Sequence, residues 1–167
     1  MDLELNNNLN SYLSFKLGEE TFAANVSKVL EILELSKITK VPKSPDYLRG
    51  VINLRGSVLP VIDTRIKFNL PVTPDTVNTC IIVLNLLMED EEINVGALVD
   101  SVQEVLELDE GDIKPPPKIG SKFKSDFIHG MTKIDEDFVM ILDINRVFTT
   151  DEIVDLKEIN TEEAASV

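Results

Sequence analysis

Histidine and cysteine are almost missing from this chain. His129 and Cys80 stand alone among 167 residues, and tryptophan does not occur. One histidine is too little material for a His-based metal site or a catalytic triad. One cysteine forms no internal disulfide, which fits a reducing compartment. Cys80 has no basic neighbour in sequence and is expected to pack as a small apolar residue. Long apolar runs are missing as well. The longest, "CIIVLNLLM" (Cys80–Met88), has less than half the ~20 residues of a membrane helix, so no direct membrane insertion is expected. The opening "MDLELNNNLN" begins acidic and lacks an apolar core. It reads as an unstructured leader over residues 1–9 rather than a signal peptide, and a cytoplasmic location is expected.

Basic residues are scarce too: 16 Lys and Arg stand against 30 Asp and Glu, for a net charge of −14. Such a surface repels a polyanion, so nucleic acid is not an expected partner. Gly50…Gly56-Ser57 has a superficial phosphate-loop spacing, but no lysine follows the second glycine and no receiving helix is in view. The acidic run Glu89–Glu92 reads as a solvated hairpin turn, because consecutive residues of a strand point to opposite faces and converge poorly on a cation. No catalytic residue, cofactor or metal is expected.

What is present is a repeat. "FAANVSKVLEILEL" (Phe22–Leu35) lies without a gap on "VGALVDSVQEVLEL" (Val95–Leu108), with half of the fourteen positions identical. "YLRGVINLRGSVLPVIDTRIKF" (Tyr47–Phe68) lies on "FIHGMTKIDEDFVMILDINRVF" (Phe127–Phe148), where Gly50/Gly130, Asp63/Asp143 and Phe68/Phe148 coincide. Tyr12–Leu17 takes the place of Ile81–Leu86. The chain is read as two copies of one module, about 10–72 and 76–150, with strands free to exchange between lobes. A C-terminal amphipathic helix near Asp151–Ile159 and a frayed tail follow. Charge is uneven across the copies: residues 1–72 carry nine cations against eight anions, and residues 73–167 carry seven against twenty-two. A contrast of that kind can orient a docking partner more than it tightens binding; a plain solvated acidic face is an equal reading.

Each copy opens with a strand (Tyr12–Leu17; Ile81–Met88) and a Glu-rich hairpin turn. A second strand leads to a short turn at Asn25–Val29 and Asp100–Val102, then a third strand (Leu30–Leu35; Gln103–Leu108). The linkers differ, and Pro115-Pro116-Pro117 marks an extended surface crossover. Ser44-Pro45 predicts a one-turn helix that Gly50 closes in a left-handed conformation, with His129-Gly130 as its counterpart. Val51–Leu54 and Val58–Asp63 predict a hairpin with Arg55-Gly56 at its tip. Asp63 and Asp143 are expected to cap strand ends, one in each lobe. Many short strands and little helix argue for small β-barrels.

The tip carries the functional signal. A guanidinium has no place inside an apolar, β-branched run, so the turn must lift Arg55 out of the core. The second copy has Ile134-Asp135-Glu136 where the first has Leu54-Arg55-Gly56. The fold therefore does not demand an arginine there, which favours function for Arg55 over the alternative of a freely varying turn residue.

The segment Tyr47–Phe68 resembles the central motif of the CheW family, the adaptors that couple bacterial chemotaxis receptors to the histidine kinase CheA. "FKLGEETFAANVSKVLEIL", "VGALVDSVQEVLEL" and "DINRVF" resemble that family in the same order, over about residues 12–150. The resemblance implies a mainly β fold of two five-stranded, SH3-like barrels and no enzymatic activity. It implies two partners: the regulatory domain of a CheA-type kinase and the cytoplasmic tip of methyl-accepting chemoreceptors, at arrays on the inner face of the membrane. It also implies contact roles for Arg55, Glu31, Val29, Ile32 and Val99. Val29, Ile32 and Val99 fit a core pattern as well, and core packing is the favoured expectation for them; Arg55 and Glu31 have no such alternative. A longer second hairpin and second linker depart from the first copy. An adaptor serving another output, such as surface motility or gene regulation, remains a rival. A small barrel enzyme is a weaker one.

Overall fold

The structure, a computed structural model, describes residues 10–88, 90–116, 127–149, 151–153 and 155–159. The leader over 1–9, Glu89 of the acidic hairpin, most of the second linker and the tail lie outside the described residues. The strands are β1 (Ser11–Leu17), β2 (Glu20–Asn25), β3 (Val29–Glu34), β4 (Leu48–Leu54) and β5 (Ser57–Asp63). After a single helical turn, α1 (Thr64–Lys67), come β6 (Cys80–Met88), β7 (Glu91–Val99), β8 (Ser101–Glu107), β9 (Ile128–Ile134) and β10 (Asp137–Leu142). Residues 151–153 and 155–159 are helical.

The strands form two five-stranded sheets in the orders β8-β1-β2-β10-β9 and β3-β6-β7-β5-β4, each curled as a small SH3-like barrel. They are called barrel A and barrel B below. Neither copy builds a sheet alone. Each donates its opening hairpin to the other's last three strands, so β1 and β2 meet β8–β10, while β6 and β7 meet β3–β5. The swap is symmetric: β2 runs parallel to β10 just as β7 runs parallel to β5.

Three apolar clusters follow from the pleat. Ile52, Leu59, Val61, Ile81, Val83 and Leu98 fill barrel B; Ala23, Leu106, Leu108, Val139 and Ile141 fill barrel A. The largest cluster lies between the sheets and draws on both, with Phe15, Phe22, Ile62, Ile82, Leu84 and Leu86 among its members. This explains why "CIIVLNLLM" is apolar throughout. Ile81 and Val83 face one core while Ile82, Leu84 and Leu86 face another, so both sides of the strand are buried. The C-terminal helix sends Ile153 and Leu156 into the shared core.

Three local expectations need correction. Ser44-Pro45 starts no helix. Pro45 opens a turn whose carbonyl accepts the Leu48 amide, and the Ser44 hydroxyl donates to the Val41 carbonyl. Gly50 ends no helix either: it lies in β4 at φ 152°, where an added Cβ would stand 2.3 Å from the Thr39 carbonyl oxygen. The first linker bridges to β4 there, at Thr39 and Val51, and the second linker does the same at Lys114 and Met131 beside Gly130. The repeated glycine thus marks a close approach of backbones. Finally, Asn25 caps a 3-10 turn at Val26–Lys28, whereas in the matching stretch Asp100 alone is a bend, and Ser101 and Val102 already belong to β8.

Candidate partner-binding surface

The tip of the β4–β5 hairpin is a two-residue turn with Arg55 at φ 52° and Gly56 at φ 86°. Two consecutive positive φ values give the tight turn whose twist suits a hairpin. The Asn53 side chain accepts the Gly56 amide. Arg55 is therefore held outward, and its side chain is 71% exposed. It is not bare. Arg55 Nη1 and Nη2 donate to Glu31 Oε2 and Oε1 at 2.6 and 2.7 Å, a two-pronged pair matched in plane and charge. Glu31 lies on β3 and Arg55 at the tip of the β4–β5 hairpin, so the pair joins the two edges of one sheet and helps close that end of barrel B. The Arg55 hydrogen bond holds the Glu31 carboxyl below its ordinary value; burial opposes this and the guanidinium charge adds to it. The two residues picked out separately in the sequence meet here.

A β-bulge arranges the remaining candidates. Val29 pairs with Leu84 and Glu31 with Val83, leaving Leu30 as the extra residue. Without it, Val29 and Ile32 would lie on opposite faces. With it, both share the face of the inter-barrel core, opposite Leu84 and Ile82, while Glu31 turns toward Val83 and the barrel B end. Val29 is half-buried against the shared core. Ile32 is 47% exposed, which corrects the core assignment favoured for it. Val99 is 0% exposed, so it packs within the shared core and offers no surface. Leu30, not anticipated from the sequence, is 52% exposed. It lines an open cleft of about 710 Å³ together with Glu31, Leu54, Arg55, Val58 and Lys157.

Barrel A repeats this end with different chemistry. The bulge recurs on β8, where Leu13 faces Val105 and Phe15 faces Val102. Glu104 and Asp135 occupy the positions of Glu31 and Arg55 and line a smaller cleft of about 180 Å³ with Asp137. Val105 and Phe138 are exposed. Two ends of one design thus carry opposite charge at the hairpin tip.

One charged group was missed. Arg65 is buried, with a side chain 1% exposed. Its Nε and Nη2 donate to the Asp63 carboxylate at 3.0 and 3.1 Å, and its Nη1 donates to the Thr73 carbonyl and to Asp100. Burial opposes its charge, yet the Asp63 hydrogen bond and the charges of Asp63, Asp100 and Asp75 leave its basicity raised. Asp63 caps α1 by accepting the Arg65 amide, and its carboxylate also holds the Arg65 and Arg49 side chains of the same copy. The only signal in the sequence was Asp63 two residues before Arg65.

A duplicated pair of exchanged barrels, with an exposed apolar rim and an ion pair at one end, defines a protein-docking scaffold. The model of the CheW-like domain family matches residues 11–152, and the chain belongs to that family. It is 33% identical over 148 residues to the chemotaxis protein CheW of Rhizobium meliloti, covering 89% of this chain and 93% of that protein. It is 35% identical over 133 residues to the chemotaxis protein CheW of Bacillus subtilis, covering 80% and 83%. The crystal structure of the scaffolding protein TtCheW from Thermoanaerobacter tengcongensis superposes with a TM-score of 0.75 at 29% identity, covering 86% of this chain and 90% of that one.

Proposed function

We propose that this chain is a non-enzymatic chemotaxis adaptor that couples chemoreceptors to a CheA-type histidine kinase. Its partners are the regulatory domain of that kinase and the helical cytoplasmic tip of the receptor. The observation that carries the reading is the Arg55–Glu31 pair beside exposed Leu30 and Ile32. An apolar rim flanked by an oriented guanidinium is what a protein partner grips. Val29 and Ile32, brought to one face by the bulge, suit the apolar stripe of an amphipathic helix laid along the seam. Val99 serves from beneath by packing. No described helix is long and apolar enough to cross a membrane. The proposed place of work is at receptor arrays on the cytoplasmic face, reached through partners.

The test is co-purification of the full chain with a cognate kinase regulatory domain and with a receptor cytoplasmic fragment. Retention of both is expected. Retention of neither at micromolar concentrations overturns the proposal.

A further inference from the structure

The two crossings between barrels are built from different chemistry. At one, Asp100 lies in the bend between β7 of barrel B and β8 of barrel A. Its amide donates to the Lys16 carbonyl, and its Oδ2 accepts the Gly18 amide at the β1–β2 turn of barrel A. Its Oδ1 accepts from Arg65 Nη1 at 3.0 Å and from the Thr73 hydroxyl at 3.3 Å. Arg65 follows β5 of barrel B and is held on its other side by Asp63. Asp75 and Arg49 close the outer rim of the group. One carboxylate therefore touches the first hairpin of barrel A, the guanidinium of barrel B and the linker between the copies.

At the matching crossing the repeat puts Asn145 where Arg65 stands and Leu87 where Gly18 stands. There the Asn145 side-chain oxygen accepts the Leu87 amide directly, at 3.1 Å. The same hairpin turn is thus tied by an amide at one crossing and, at the other, by an ionic relay built on a buried guanidinium. A neutral hydrogen bond contributes little to orientation. The relay rests on a buried guanidinium that Asp63 holds by two fixed prongs. The Asp100 carboxylate, 19% exposed, then joins it to barrel A through its two oxygens, and its loss leaves a buried charge less well paired.

We propose that Arg65 and Asp100 are positioning residues that fix the angle between the two barrels, and that this ionic crossing, not the neutral one at Asn145, limits their relative motion. Through that angle the relay sets how the exposed rims of both barrels are presented together, whatever partner they meet. Arg65 and Asp100 themselves touch no partner in this scheme.

The test needs no partner. Spin labels are placed at exposed positions on each barrel, through Lys133→Cys on β9 and Glu34→Cys on β3, in a Cys80→Ala background. Double electron–electron resonance then reads the distance between barrels. The parent is expected to give one narrow distribution. Asp100→Ala and the isosteric Asp100→Asn are expected to broaden or split it, while near-ultraviolet circular dichroism shows both proteins folded. Asn145→Ala is expected to broaden it less than Asp100→Ala does. Folded Asp100 variants with the parent's distribution overturn the proposal, as does an Asn145→Ala distribution broadened as much. If neither Asp100 variant folds, the relay serves the stability of the whole chain, and the positioning role is likewise overturned.

Discussion

Arg55 occupies a backbone position that side chains avoid. At φ 52° its Cβ crowds the following carbonyl, and the tight hairpin turn favours Asn followed by Gly. An arginine at a position that local propensity disfavours fits the role proposed for it. Arg55→Asn is accordingly expected to melt within about 2 °C of the parent, or above it, because relief at the turn offsets loss of an exposed ion pair. A fall well beyond that in a thermal melt would give Arg55 a chiefly structural role through closure of the barrel end. At this scale the sequence was readable for Arg55 and Glu31, each flagged by exposure logic and by family resemblance. Their contact was not readable, since it depends on two sheet edges meeting in three dimensions. Arg65 was unreadable for the same reason: Asp100, which its guanidinium reaches, is 35 residues away.

Strands and turns were legible where the pattern was local. The hairpin over Leu48–Asp63, the opening strands and the terminal helix follow from alternation and turn residues. The bulge at Leu30 was not, because nothing in "KVLEIL" distinguishes a bulged strand from a regular one. That single inserted residue decides which side chains share a face. The misread helix at Ser44-Pro45 shows the limit of capping signals: the motif was present, but pairing of Thr39 with Val51 claimed the backbone. Gly50→Ala tests the corrected role. A Cβ placed 2.3 Å from the Thr39 carbonyl oxygen must push the linker off β4, at a cost of at least about 3 kcal/mol in a denaturant titration. A helix-ending glycine would lose only about 1 kcal/mol.

The C-terminal helix is fastened by Glu152, which accepts the Thr149 amide and pairs with Lys67 at 2.6 Å. The Lys67 ammonium lies over the rings of Tyr47 and Phe148 at 5.0 and 5.4 Å. Burial works to raise the Glu152 carboxyl, but the Lys67 and Thr149 hydrogen bonds and the Lys67 charge outweigh it, leaving the carboxyl below its ordinary value. The Tyr47 phenol is pushed up to about 12, first by burial and then by Glu152 and Asp155. Since the folded form holds Glu152 ionised more strongly, its stabilisation is present above the ordinary carboxylate range and is lost as pH falls through the lower folded value. Glu152→Gln should cost about 1 kcal/mol at neutral pH and flatten the acid limb of the stability curve. An unchanged acid limb would count against the clasp.

Across the whole molecule, the repeat was legible and its wiring was not. Half-identity over fourteen positions announced two copies, but sequence similarity cannot tell whether a hairpin pairs with its own copy or with the other. The structure puts β1 and β2 against β8 and β10. A fragment ending near residue 74 would therefore hold two strands of barrel A and three of barrel B, with the shared core laid open. It should show no cooperative unfolding by circular dichroism, whereas a sharp transition would mean that one copy can close on itself.

In the proposed function, the exchanged barrels serve to present a rim at Arg55, Glu31 and Ile32 to a protein partner. Calorimetric titration of a cognate kinase regulatory domain into the full chain and into Arg55→Asn tests that claim most directly. The account predicts at least about tenfold weaker binding by the variant, roughly 1.4 kcal/mol, with its melting temperature held. Equal affinity for the two proteins would contradict it.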